Sequence, residues 1–173
     1  EERRWTVKTR KLTQMALLTA IALTIFMVEA QIPALVPVPG VKLGLANVVT
    51  LVALYRLKGR YAFAIVIPRC ILGAIFGGGI TGLLFSLTGG LLALVTMLLS
   101  QKVKLFSVYG VSVLGAAAHN IGQILAAMAL MGSVYVWAYL PYLLFIAIFT
   151  GTATGAACAG VLRAFQLVRI SNR

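Results

Sequence analysis

Long apolar runs, separated by short breaks that are alternately basic and neutral, organise the whole chain. A helix needs about 20 residues to cross about 30 Å of hydrocarbon. The runs predict six such helices, at about 12–31, 41–55, 61–76, 80–100, 106–131 and 138–162. The second is short and is expected to tilt little or to begin inside the membrane. Thirteen of the fifteen Lys and Arg residues fall in four clusters: Arg3 to Lys11, Arg56 to Arg60, Lys102 with Lys104, and Arg163 to Arg173. Basic connections mark the cytoplasmic side. The pattern therefore predicts an all-α integral membrane protein with six transmembrane helices and both termini cytoplasmic.

The three outer connections differ in character. Residues 32–40 hold three prolines and a glycine, which forbid a regular helix. That stretch is apolar and is expected to pack over or into the protein. Gly77-Gly78-Gly79 predicts a tight turn, and Gly132-Ser133 leads into Tyr135, Trp137, Tyr139 and Tyr142, aromatics suited to a membrane interface. Pro68 is expected to bend the third helix. Small residues recur every fourth position at Gly78, Gly82, Ser86 and Gly90, and again at Ala147, Gly151, Gly155 and Ala159. Such stripes let helix backbones approach closely in lipid. Ala16 and Ala20 repeat the spacing at the basic end of the first helix, where it suits either intrachain packing or a neighbouring protein.

Composition supports the membrane reading. The chain is 61% hydrophobic and 10% charged, whereas soluble domains are nearer 45–50% apolar and about 25% charged. The net charge of +12 does not point to nucleic acid, because the cations flank apolar segments instead of forming a stripe with aromatics. Anionic membrane lipid is the natural counterpart. Cys70 and Cys158 lie within apolar segments without CxxC spacing or a nearby His, and read as packing residues, not metal ligands. The first apolar segment is full length with no A-x-A site after it, so no cleavable signal sequence is expected. No internal repeat or linker appears. One domain is expected over 1–173: a basic N-terminus at 1–11, a six-helix bundle at 12–162 and a basic tail at 163–173.

Chemistry is constrained by what is missing. There is no Asp, and Glu occurs only at Glu1, Glu2 and Glu29. Magnesium-dependent work on prenyl diphosphates needs clustered carboxylates, because hard cations take oxygen ligands. No phosphate-loop, nucleophile-elbow or zinc-protease motif is present. The expectation is a protein that is not an enzyme and carries neither cofactor nor metal. The polar residues left inside the apolar segments are Glu29, Lys42, Arg69, His119, Asn120 and Gln123. His119 and Gln123 share a helix face, and Asn120 lies about 100° round from it. A charge at bilayer depth costs roughly 2.5–3.5 kcal/mol on insertion scales, so each must face a partner or a cavity. One reading pairs Glu29 with Arg69 structurally, leaves Lys42 snorkelling and makes His119 and Asn120 interhelical glue. The other is a pocket open to the outside, roofed by the proline stretch. There Lys42 and Arg69 outnumber Glu29 and favour an anionic small-molecule ligand between apolar walls. In that pocket Glu29 would balance Arg69, while His119, Asn120 and Gln123 would orient the ligand. Asn47, Trp137 and Tyr139 are secondary contributors.

Several stretches carry a family resemblance: 39–47 (Pro39-Gly40-Val41-Lys42-Leu43-Gly44-Leu45-Ala46-Asn47), Tyr55-x-x-Lys58-Gly59-Arg60-Tyr61-Ala62, 85–90, 106–112 and Gly115-Ala116-Ala117-Ala118-His119-Asn120-Ile121-Gly122-Gln123. Together they resemble the Gx transporter family, often labelled heptaprenyl diphosphate synthase component I, over about 12–162. That family is similar to the substrate-binding S components of energy-coupling factor (ECF) transporters. The resemblance implies an ECF S-component-like fold, with a transmembrane coupling protein and two cytoplasmic ATPases as partners. It implies that Ala16 and Ala20 meet the coupling protein and that the loop after the first helix gates the pocket. It leaves two rivals: an accessory subunit of a prenyl diphosphate synthase, and a scaffold that binds no ligand.

Overall fold

The computed structural model describes residues 2–32, 41–103 and 105–171. Six α-helices make up the described chain: α1 (Glu2–Glu29), α2 (Asn47–Arg56), α3 (Gly59–Gly73), α4 (Gly79–Lys102), α5 (Val108–Met131) and α6 (Leu140–Ser171). No strand occurs among the described residues. Four stretches are long and apolar enough to cross a membrane: Thr9–Glu29, Gly59–Lys102, Val108–Met131 and Val134–Phe165. This is a membrane protein. The Gly59–Lys102 stretch is two helices in space. A single π turn at Ala74–Gly78 follows α3, and Gly77 at φ 154° with Gly79 at φ 57° turns the chain into α4.

Three boundaries depart from the sequence reading. α1 begins at Glu2, so the basic N-terminal residues extend the first helix. α6 runs to Ser171, carrying most of the basic tail as helix. The predicted helix at 41–55 loses its first six residues, because α2 starts at Asn47. Gly44 has φ 77°, and the amides of Gly44 and Leu45 are held by a side chain from α1. With ten residues, α2 reaches only about 15 Å. Pro68 sits inside α3 without ending it.

α5 packs between α4 and α6. Both contacts depend on missing side chains. A β-carbon on Gly122 would lie 2.7 Å from the Thr88 carbonyl oxygen and 2.8 Å from Cα of Gly89. One on Gly151 would lie 2.5 Å from Cα of Val113, and one on Gly155 3.1 Å from Cα of Tyr109. The Ala147–Ala159 stripe is therefore an α5–α6 seam, reinforced by a 2.8 Å hydrogen bond between the Ser112 and Thr154 hydroxyls. The Gly78–Gly90 stripe is split. Gly82 has nothing within 4 Å of its β-carbon position, while Ser86 is buried and Gly90 meets Val66. α1 lies along α3, with Phe26 against Gly73. Its opposite face, including Leu12, Leu17, Ile21 and Val28, is exposed, as are Ala16 and Ala20.

Candidate functional site

The antiparallel order gathers the ends of α1, α3 and α5 and the starts of α4 and α6 at one end of the bundle, with residues 41–46 across them. Glu29, at the end of α1, is buried. Its carboxylate accepts from the Gly44 amide at 2.5 Å and from the Leu45 amide at 3.0 Å. Only a glycine fits here: the backbone is left-handed, and a β-carbon would come within 2.7 Å of Cδ2 of His119. From α5, the buried Gln123 accepts through Oε1 from the Lys42 amide at 3.2 Å. Two side chains from two helices thus latch residues 42–45 onto the bundle.

These bonds add to the expected roles. Glu29 makes no direct ion pair with Arg69; its oxygens accept from backbone amides, while Lys42 and Arg69 both lie close enough to act on its charge. Gln123 accepts with its carbonyl oxygen from the same segment. Lys42 does not reach free into water: it is half-buried and its ammonium sits 3.5 Å from the centroid of the Phe26 ring, within cation–π range. Asn120 donates from Nδ2 to the Leu143 carbonyl at 2.7 Å, tying α5 to α6. Trp137 and Tyr139 are exposed on the 3-10 turn before α6. The expected roof, 33–40, lies outside the described residues.

Arg69 is 3% exposed, and its Nε and Nη2 have no hydrogen-bond partner. Both amide atoms of Asn47 and Oδ1 of Asn120 are in the same condition, as are the ring nitrogens of His119 apart from a marginal approach to the Gly89 backbone. Among the described residues, every buried side-chain polar atom without a partner belongs to these four side chains. Gly89 and Gly90 let Arg69 and His119 pack on adjacent sides of α4, close enough for the guanidinium to act on the imidazole. A β-carbon on Gly90 would lie 3.0 Å from Arg69 Nη2, and one on Gly89 would lie 2.9 Å from His119 Nδ1. Asn47 closes the third side. The β-carbon position of Gly44 lies 3.0 Å from both Asn47 Nδ2 and His119 Nε2. α2, α3, α4 and α5 therefore converge on one polar centre inside an apolar bundle.

Sequence reasoning named Arg69, His119 and Asn47 but missed Phe26, Gly44, Gly89 and Gly90. The signal was available in part: two consecutive glycines inside a helix weaken it by about 1 kcal/mol each and call for a close neighbour. Chemically, the centre offers a permanent guanidinium cation, an amide that both donates and accepts, and an imidazole. It suits a ligand rich in acceptor atoms, or an anion. No group of three or more His, Cys, Asp or Glu side chains able to hold a metal occurs among the described residues.

The latch is testable apart from any ligand. Glu29→Ala leaves two amide donors without their acceptor, at about 1–3 kcal/mol for each buried orphan. Glu29→Gln keeps one accepting oxygen and falls between Ala and wild type. Thermal unfolding in detergent checks the order; equal melting temperatures for all three would disprove the latch.

A family model described as heptaprenyl diphosphate synthase component I matches residues 18–161. The chain belongs to that family. The match spans Glu29, Lys42, Asn47, Arg69, His119, Asn120 and Gln123, and includes Ala20 but not Ala16. No curated protein and no solved structure matches the chain.

Proposed function

We propose that this member of the heptaprenyl diphosphate synthase component I family is the substrate-binding membrane subunit of an ECF-type importer. It crosses the bacterial cytoplasmic membrane six times with both termini inside. It captures a small anionic ligand from outside and breaks no bond itself. A transmembrane coupling protein and two cytoplasmic ATPases drive its reorientation, as alternating access requires.

One observation supports this reading above the others: an unpaired guanidinium, an imidazole and an amide are buried together among apolar helices. A scaffold has no use for such a centre. Each orphaned polar atom opposes folding by about 1–3 kcal/mol, and a charged one by more, so a ligand that supplies acceptors returns free energy. Prenyl-, quinone-, flavin- and vitamin-like anions share the required form, an apolar body with an acidic group. The exposed face of α1 around Ala16 and Ala20 is free for the coupling protein.

The deciding experiment is mass spectrometry of small molecules extracted from the purified protein, together with identification of co-purified proteins. An acidic small molecule at near-stoichiometric yield, with ATPase partners, is the expected result. A blank extract from folded protein purified out of its native membrane would sink the proposal. The family's description favours a second reading, an accessory subunit of a prenyl diphosphate synthase. That reading requires a separate carboxylate-rich synthase to co-purify, since this chain has no Asp.

A further inference from the structure

A basic cavity lies at the end of the bundle opposite the polar centre. The cavity, of about 310 Å³, is lined by Arg10, Lys11 and Gln14 of α1 and by Arg56, Leu57, Lys58 and Tyr61 around the α2–α3 turn. That volume sits at the small end of ligand clefts, about 300–1,000 Å³. Four of its seven lining residues are cationic and none is acidic. Scattered basic residues at a membrane boundary need no explanation beyond topology. Convergence of two helices' cations on one open cavity goes further: all four are exposed and screened by water and salt, but together they raise the local potential for an anion.

Aromatic contacts fix part of this wall. Lys11 lies 5.6 Å from the centroid of the Tyr61 ring, across the α1–α3 contact. Arg60 covers the same ring at 4.7 Å and donates from Nη2 to the Tyr61 hydroxyl at 2.9 Å. Arg56 lies 4.3 Å from the centroid of the Phe165 ring of α6. These contacts position the cations without neutralising them. Glu29, the one carboxylate whose side chain is described, lies 19 residues along α1 from Arg10, about 28 Å away.

We propose that this cavity binds a phosphate-bearing anion. Arginine forks grip phosphate oxygens bidentately and lysines add point charge, while Gln14 supplies a neutral edge. The anion has two natural sources: the headgroup of an anionic phospholipid in the adjacent leaflet, or a soluble phosphate or diphosphate. The site is separate from the Arg69 centre and stands whether or not that centre binds ligand.

The test uses the full chain purified in neutral detergent. One arm measures retention of phosphatidylglycerol against phosphatidylcholine by native mass spectrometry. The other measures binding of inorganic diphosphate by calorimetry at low salt. Two variants remove equal charge from basic segments of the chain: Arg10→Gln with Lys58→Gln inside the cavity, and Lys102→Gln with Arg163→Gln outside it. Retention of phosphatidylglycerol alone assigns a lipid headgroup, and diphosphate binding assigns a soluble anion. In either case the cavity pair binds roughly tenfold more weakly than wild type, and the outside pair binds as wild type does. If neither probe binds wild type, or if both pairs weaken binding equally, the site does not exist and only a diffuse basic field remains. Should the cavity pair fail to elute as a folded species, Lys58→Gln alone, on an exposed turn residue, is compared with Lys102→Gln. Weaker binding by the first alone then supports the site, and equal binding by the two overturns it.

Discussion

Arg69→Met abolishes ligand retention while leaving the ligand-free protein as stable as wild type, or more so. The side chain is buried, and Nε and Nη2 find no acceptor. A buried charge without a direct partner opposes folding, even with the Glu29 carboxylate acting on it from beyond ion-pair distance, and an apolar side chain of similar length removes that penalty. Met is unbranched and adapts to the channel left by the arginine stem. The melting temperature of ligand-free protein is therefore unchanged or raised. Affinity moves the other way. Charge-assisted hydrogen bonds contribute about 1.5–3 kcal/mol each, so two of them represent a loss of about 10² to 10⁴ in binding. The signs separate the competing roles. A guanidinium that held the bundle together would cause a fall in melting temperature when removed. Thermal unfolding with quantified small-molecule retention, measured on one preparation, checks both; a destabilised variant that still retains ligand contradicts the proposal.

The second large effect concerns packing. Gly122→Ala destabilises by about 1–3 kcal/mol, the range for overpacking a close contact. The added carbon would meet the Thr88 carbonyl oxygen at 2.7 Å and the backbone of Gly89 at 2.8 and 2.9 Å. Backbone cannot swing aside as a side chain can, so α5 must move away from α4. His119 lies on α5 less than one turn away and packs on Gly89, so the same shift displaces it from its seat on α4. Loss of stability and loss of ligand are expected together. Gly82→Ala is the matched control on α4. Nothing lies within 4 Å of its β-carbon position, and replacing a helical glycine gains roughly 0.5–1 kcal/mol. Opposite shifts of the two melting temperatures are expected; shifts of the same sign would refute the tight α4–α5 crossing.

The latch on residues 42–45 links these effects to access. Glu29 and Gln123 hold the segment directly before α2, and Asn47 begins that helix beside His119. A movement of the segment therefore alters the wall of the polar centre. The latch itself is therefore a handle for experiments on entry.

Much of this was legible along the chain. The apolar runs placed the helices, because apolar length acts locally on each segment. The glycine turn at Gly77–Gly79 followed from conformational freedom that other residues lack. Arg69 and His119 stood out because a polar side chain within a long apolar run must find a partner or a ligand.

Partner choice was not legible. Opposite charges on separate helices suggested that Glu29 and Arg69 meet, yet the carboxylate bonds two backbone amides and the guanidinium acts on it only at a distance. Lys42 found a ring at Phe26 that no spacing rule connects to it. The 41–55 segment looked apolar enough to be helical throughout, but a left-handed glycine and two long-range hydrogen bonds kept its first residues out of the helix. The sequence by itself determined a membrane-embedded helical protein with a few cations and amides kept at depth, because hydropathy and charge placement are properties of single segments. The tertiary structure alone decided which of those groups are satisfied and which share one buried centre. That outcome depends on how closely α4 and α5 approach through Gly89 and Gly122, and helix spacing is set by side chains distant in sequence.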